Sequence, residues 1–155
     1  MAMAALCTAV LLTGCSKDDK SSDSSTGASS EAATAELGPL PPDRAGAKAW
    51  MVSNDEPVDG FQRVATELTA SALPTDCAGL AERFNAELGP IADYLKAVAA
   101  SPDPVLAELL TSAAISARTM VAACAASETA VADDERPGLA NALVLIERRQ
   151  AELKA

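Results

Sequence analysis

Apolar residues recur at helical spacing from Phe61 to Leu153. They form four stripes whose members are mostly three or four residues apart, which places each stripe on one face of a helix. The stripes are Phe61, Val64, Ala65, Leu68 and Ala72; Cys77, Leu80, Ala81, Phe84, Leu88, Ile91, Leu95 and Val98; Leu106, Leu109, Leu110, Ala113, Ala117, Met120, Val121 and Cys124; and Leu139, Leu143, Ile146 and Leu153. This pattern predicts an all-α fold, a small up-down helical bundle of three to four helices.

Segments containing proline separate or interrupt the stripes. Pro74-Thr75-Asp76 lies between the first two, and Ser101-Pro102-Asp103-Pro104 is a turn and restart signal before the third. The fourth helix is predicted to begin after residues 133–137, whose acidic side chains suit the positive end of a helix dipole. Gly89-Pro90 lies inside the second stripe, which keeps its phase there, so we expect a kink in one helix rather than a break.

The cysteines suggest how two of these helices meet. Cys77 and Cys124 lie at nearly equal distances from the turn at residues 101–104. Two antiparallel helices joined by that turn bring both cysteines to the same height, and Phe84 then faces Ala117. We therefore predict an αα-hairpin closed by a Cys77–Cys124 disulfide. Two reduced cysteines in the core are the alternative.

The N-terminal region has a different composition. Residues 16–35 are rich in serine, threonine, alanine and charge and contain no large apolar residue, while residues 36–47 add prolines. Such a segment cannot bury enough apolar surface to offset the entropy of ordering it. The division we predict is a lipidated N-terminus and disordered tether at 15–45, followed by the helical bundle domain at 46–155.

The border between apolar and polar sequence at Cys15 carries the clearest motif. Residues 4–14 are uncharged and largely apolar, too short to span a bilayer but of the right length for a signal-peptide core. Leu12-Thr13-Gly14-Cys15 resembles the lipobox of bacterial lipoproteins. The resemblance implies that residues 1–14 are a lipoprotein signal peptide and that Cys15 carries lipid. An ordinary buried N-terminal helix with an incidental cysteine is the alternative. In layout, the chain is similar to small, alanine-rich helical lipoproteins of actinobacteria.

The same resemblance implies a location. A lipid at Cys15 would anchor the protein to the outer face of the cell membrane, where disulfides persist. No Lys or Arg precedes the apolar core, although signal peptides carry positive charge there. We therefore expect the natural start to lie upstream of Met1.

Charge and composition narrow the chemistry. The net charge of −10 repels nucleic acid, so we expect no nucleic-acid partner. Histidine is absent, which excludes histidine-dependent catalysis and histidine metal sites. We expect no catalytic residue, no metal and no cofactor.

A few residues remain as candidate sites. Trp50 and Met51 form a candidate partner patch, because tryptophan is enriched at binding hot spots. They could instead attach a capping segment, residues 48–58, to the bundle. The acids at 133–135 could bind Ca²⁺, although helix capping explains them. Arg148-Arg149 is predicted to lie on a solvated helix face.

We expect a non-catalytic, membrane-anchored lipoprotein that acts as an extracytoplasmic interaction or accessory module for an unidentified envelope protein. The alternative is a carrier that holds an apolar small molecule or lipid between its helices. An enzyme that relies on carboxylates alone is a third hypothesis. The oligomeric state is left open.

Overall fold

In the computed structural model, residues 36–70 and 77–155 are described, and these residues contain helices and no strand. The elements are α1 (Arg44–Ser53), α2 (Asp55–Ala70), α3 (Cys77–Leu88), α4 (Ile91–Ala99), α5 (Pro104–Ala126) and α6 (Thr129–Lys154). The all-α fold and the Cys77–Cys124 disulfide are confirmed. The expected number of helices is wrong, since the described residues form six rather than three to four.

Two local features account for the additional helices. The segment predicted as a cap, residues 48–58, is divided between α1 and the start of α2. The first turn of α1 is capped by the Asp43 carboxylate, which accepts from the Gly46 N–H at 2.8 Å. The second stripe is divided between α3 and α4, so the expected kink is a break. Gly89 there has a φ of +62°, a left-handed conformation that glycine adopts without steric cost, and Pro90 follows in an extended conformation.

α5 is the central helix of the described body. It contacts α2, α3, α4 and α6, and the longest interface is the one with α6. Its apolar stripe is buried in these contacts, as are the stripes of α2 and α6. Among the described helices, α5 is the one long and apolar enough to cross a membrane by length and composition. Its central position in the bundle accounts for that composition.

α6 begins earlier than predicted. It starts at Thr129, and Pro137 lies inside it rather than before it. Proline within a helix removes one backbone hydrogen bond. The burial of Ala132 upstream and Leu139 downstream, together with the long interface with α5, offsets that loss.

The N-terminal side of the described chain packs on the helices before α1 begins. Pro41 is buried and Leu40 packs against the core, so residues 38–43, which were predicted to belong to the tether, lie on the body. The predicted boundary at residue 46 falls inside α1. The signal peptide at 1–14, Cys15 and the tether to residue 35 lie outside the described residues, as does the Pro74 turn.

Candidate functional site

The disulfide closes one end of the bundle. Cys77 is the first residue of α3 and Cys124 lies in the last turn of α5, with Cα atoms 5.4 Å apart. Both α3 and α4 contact α5, as the predicted hairpin requires. The apolar spacing of two separately identified stripes therefore located this bond correctly.

The opposite end of α5 is closed by a buried ion pair. The Arg149 Nε donates to Asp103 Oδ2 at 2.7 Å, and Nη2 donates to Asp103 Oδ1 at 3.2 Å. Both side chains have no exposed surface. This bidentate arrangement matches the planar guanidinium to the carboxylate and is among the strongest polar contacts in proteins. Hydrogen bonding to Asp103 raises the pKa of Arg149 above its ordinary value, against the opposing effect of burial.

Arg149 also holds the N-terminal side of the described chain. Nη1 donates to the Gly38 carbonyl at 2.9 Å and to Glu152 Oε2 at 3.2 Å, and Nη2 donates to the Pro39 carbonyl at 2.7 Å. With the two bonds to Asp103, all five guanidinium N–H groups are paired. We call Arg149, Asp103, Gly38, Pro39 and Glu152 the clamp.

Asp103 serves the clamp and the helix start together. Its Oδ1 accepts from the backbone N–H groups of Val105 and Leu106, at 3.0 and 3.3 Å, and so caps α5. Its own N–H donates to Ser101 Oγ at 3.3 Å. Since these groups are saturated by one another, the clamp has the character of a structural joint rather than of a substrate site.

Sequence reasoning missed the clamp. The pair Arg148-Arg149 was predicted to be solvated, which is wrong for Arg149 because its side chain is wholly buried. A signal was present in the fourth stripe, where Leu139, Leu143 and Ile146 are followed by Leu153. Helical spacing leaves one position unfilled between Ile146 and Leu153, and Arg149 occupies it. A charged residue in phase with a buried stripe requires a buried partner.

Trp50 and Met51 attach α1 to the body. Met51 is buried, and Trp50 is half-buried with its Nε1 donating to the Ala97 carbonyl at the end of α4, at 3.2 Å. The same carbonyl also accepts from the Ala100 backbone N–H, so the bond from Trp50 joins α1 to the closed end of α4. The capping role considered for these two residues is therefore present in the structure. A role as a partner patch stays a prediction.

A cleft of about 290 Å³ lies beside Trp50, between α1, the start of α2 and the end of α6. Its apolar wall consists of Trp50, Met51, Val52 and Val58. Its polar lining consists of Lys48, Lys154, Asp55 and Gln150. The cleft therefore pairs apolar surface with two ammonium groups and one carboxylate, a combination that suits an amphipathic anion.

Tyr94 has an unusual environment. Its ring packs against Phe61 with centroids 5.5 Å apart, and its hydroxyl is buried with no hydrogen-bond partner among the described residues. Burial raises the pKa of this hydroxyl well above its ordinary value. The hydroxyl does not line the cleft, so it provides no group for a ligand there.

The acidic candidates do not converge. Within residues 36–70 and 77–155, no three Asp, Glu, Cys or His side chains are arranged to hold a metal ion. Asp133 instead pairs with Arg136 at 3.0 Å along α6. These acids lie inside the helix, downstream of the first turn that they were predicted to occupy.

The C-terminal part of α6 thus contributes to two sites of different kinds. In the clamp every polar side-chain atom of Arg149 and Asp103 is hydrogen-bonded, whereas the cleft beside Trp50 is open. No family model, no curated protein and no solved structure matches this chain.

Proposed function

We propose that this protein is a non-catalytic lipoprotein, exported and anchored by lipid at Cys15, whose helical body acts as an interaction or accessory module outside the cytoplasmic membrane. The lipobox-like Leu12-Thr13-Gly14-Cys15 supplies the anchor in this proposal. The body, from about residue 38, is the part that meets other molecules.

The disulfide is the structural observation that carries the proposal. Disulfides form and persist in oxidising compartments outside the cytoplasm and are rare inside it. The Cys77–Cys124 bond joins residues 47 positions apart, which makes it a structural cross-link rather than a Cys-X-X-Cys redox pair. This supports export independently of the N-terminal motif.

The buried polar groups support a non-catalytic role. Arg149 donates all of its N–H groups within the clamp, and Asp103 accepts from Arg149 and from the start of α5. Groups that are saturated in this way leave no donor to stabilise charge developing on a substrate. Arg149 and Asp103 are therefore structural groups of the described body.

The anchor is tested by replacing Cys15 with serine in the full chain expressed in a bacterium that processes lipoproteins. We expect the unaltered protein to fractionate with membranes and to gain the mass of acyl chains. Cys15→Ser should lack that mass gain and keep residues 1–14. Cys7→Ser is the matched control, since Cys7 lies within the apolar stretch, and it should be acylated normally. Acylation of Cys15→Ser, or none in the unaltered chain, would refute the proposal.

Thiol trapping tests the export step separately. The protein taken from cells under acid quench should contain Cys77 and Cys124 in oxidised form. If both cysteines react with an alkylating reagent before reduction, the protein resides in a reducing compartment and the proposal fails.

The second candidate function is that of a carrier, and the cleft beside Trp50 favours it. Its apolar wall and its two lysines would suit a fatty acid or another amphipathic anion. Native mass spectrometry of the membrane-extracted protein should then reveal a bound ligand that Val52→Asp, at an exposed position of the cleft wall, abolishes. If the extracted protein shows no added ligand mass, the carrier function is contradicted, whereas the proposal of an anchored interaction module is unaffected.

A further inference from the structure

α1 differs in charge from the rest of the described body. The chain has 12 basic and 22 acidic residues, yet α1 contains Arg44 and Lys48 and no acid. Each of the five other described helices contains at least one Asp or Glu. The helix itself is therefore basic on a protein of net charge −10, although Asp43 precedes it, Asp55 and Glu56 follow it, and Asp55 lines the cleft together with Lys48.

One face of α1 is turned outward. Ala45, Lys48, Ala49 and Val52 are exposed, and their spacing places them on a single side of the helix. Val52 is 80% exposed, more than any other large apolar side chain in the described chain. We call these four residues the α1 face. Lys154, at the end of α6, adds a second ammonium group in the cleft that Lys48 lines.

The clamp places the N-terminal chain beside this face. Arg149 holds the carbonyls of Gly38 and Pro39, and Arg44 at the start of α1 donates to the Glu152 carbonyl at 3.2 Å. The chain therefore joins the body within a few residues of α1. Under the proposed function, the segment that leads to the lipid at Cys15 therefore joins the body next to the helix that carries the α1 face.

We infer that the α1 face, together with Lys154, docks on the surface of an anionic phospholipid membrane. Lysines attract anionic headgroups, while the exposed apolar side chain of Val52 suits the interface between headgroups and acyl chains. The acidic remainder of the protein is repelled by the same surface, which favours one orientation. The inference rests on the proposed function, because the anchor holds the face at an effective concentration on the order of millimolar, where weak contacts are occupied.

The test uses the fluorescence of Trp50, the single tryptophan of the chain. The full-length acylated protein is reconstituted in vesicles of phosphatidylcholine, with and without phosphatidylglycerol, in which the acyl chains carry bromine. Docking should quench Trp50 in the anionic vesicles and much less in the neutral ones. High salt should remove the difference, since it screens exposed charges.

Matched variants separate the α1 face from the rest of the surface. Lys48→Glu/Lys154→Glu and Val52→Asp should each weaken quenching about tenfold or more. Arg118→Glu and Val144→Asp change charge and exposed apolar surface on α5 and α6 instead, and they should leave quenching unchanged. Because all of these positions are exposed, the variants should fold, which circular dichroism checks.

The other occupants of this surface give different results, and each would overturn the inference. Quenching that is equal in neutral vesicles and independent of salt would indicate an acyl chain entering the cleft. A dimer in light scattering, with Trp50 protected from lipid, would indicate a second copy of the chain. An acylated protein with unquenched Trp50 refutes docking alone, whereas a chain without acyl mass in its native membrane refutes the proposed function.

Discussion

At one end of α5 a covalent bond joins Cys124 to Cys77, and at the other end, about 30 Å away, Asp103 meets Arg149 in an ion pair sealed from water. The disulfide needs only its two cysteines and an oxidising compartment. The ion pair needs every surrounding group in place, because a charge that loses its buried partner is left uncompensated. The two closures of one helix therefore differ in how they fail, since one depends on redox conditions and the other on the completeness of a hydrogen-bond network.

The largest effect is expected at the clamp. Arg149→Met should lower the free energy of unfolding by about 3–5 kcal/mol, because it leaves Asp103 buried without its partner. Arg149→Met/Asp103→Asn should recover part of that loss, since asparagine can still cap α5 and brings no unpaired charge. Urea unfolding followed by circular dichroism measures both. Arg118→Ala, at an exposed position on α5, is the control and should cost less than about 1 kcal/mol.

The same variant should also release the chain from the body. Hydrogen exchange at Gly46 and Ala47, whose N–H groups donate to Asp43, should accelerate in Arg149→Met, because the chain before α1 loses its attachment at the Gly38 and Pro39 carbonyls. An unchanged exchange rate there would mean that the clamp does not hold this segment.

Removing the disulfide should have the next largest effect. Cys77→Ala/Cys124→Ala should lose about 3–4 kcal/mol in the chain-entropy model for a loop closed over 47 positions. Exchange at Gly46 and Ala47 should be unaltered below the unfolding transition, in contrast to Arg149→Met. If the reduced protein unfolds at the same urea concentration as the oxidised one, the covalent closure contributes nothing.

The buried hydroxyl of Tyr94 allows the effect of burial on stability to be measured as a function of pH. Its pKa is raised in the folded state, so folding keeps the hydroxyl protonated while the unfolded chain ionises near pH 10. The contribution of Tyr94 to stability is therefore complete below about pH 10 and falls above it by about 1.4 kcal/mol per pH unit. Denaturation compared with Tyr94→Phe isolates this slope. As Tyr94 is the single tyrosine, phenolate absorbance should rise only on unfolding; an earlier rise would show that the hydroxyl is accessible.

The smallest effect is expected for a surface pair of equal length. Arg63 Nη1 and Glu87 Oε1 are 2.7 Å apart, as are Arg149 Nε and Asp103 Oδ2, but the Arg63 side chain is 62% exposed. A double-mutant cycle with Arg63→Ala and Glu87→Ala should give a coupling below about 1 kcal/mol. A coupling near that of the clamp would mean that distance, rather than burial, determines the strength of these pairs.

The disulfide and the clamp, at the two ends of α5, also differ in whether they could be predicted from the sequence. The disulfide followed from two apolar stripes and a turn, because helical spacing fixes which residues share a height. The stripe residues that are buried in the described chain were predicted in the same way. The clamp was not, since a sequence does not indicate which acid among 22 will pair with a given arginine across the fold.

The remaining differences have similar causes. Gly89-Pro90 permits either a kink or a break, and the left-handed φ of Gly89 decided for the break. Pro137 is a strong signal for a helix start, but contacts with α5 outweighed it. The cleft beside Trp50 depends on α1 lying across the end of α6, which no local pattern encodes.

The clamp has a mechanical consequence. Tension applied to the N-terminal segment reaches the helices first through Gly38 and Pro39, and Arg149 passes it to α6 and to the start of α5. Cys77 and Cys124 lie at the far end of α5, where the cross-link limits how far a pulled chain can unravel. When the chain is pulled from its N-terminal side, we therefore expect the Arg149 contacts to break before any force reaches the Cys77–Cys124 disulfide.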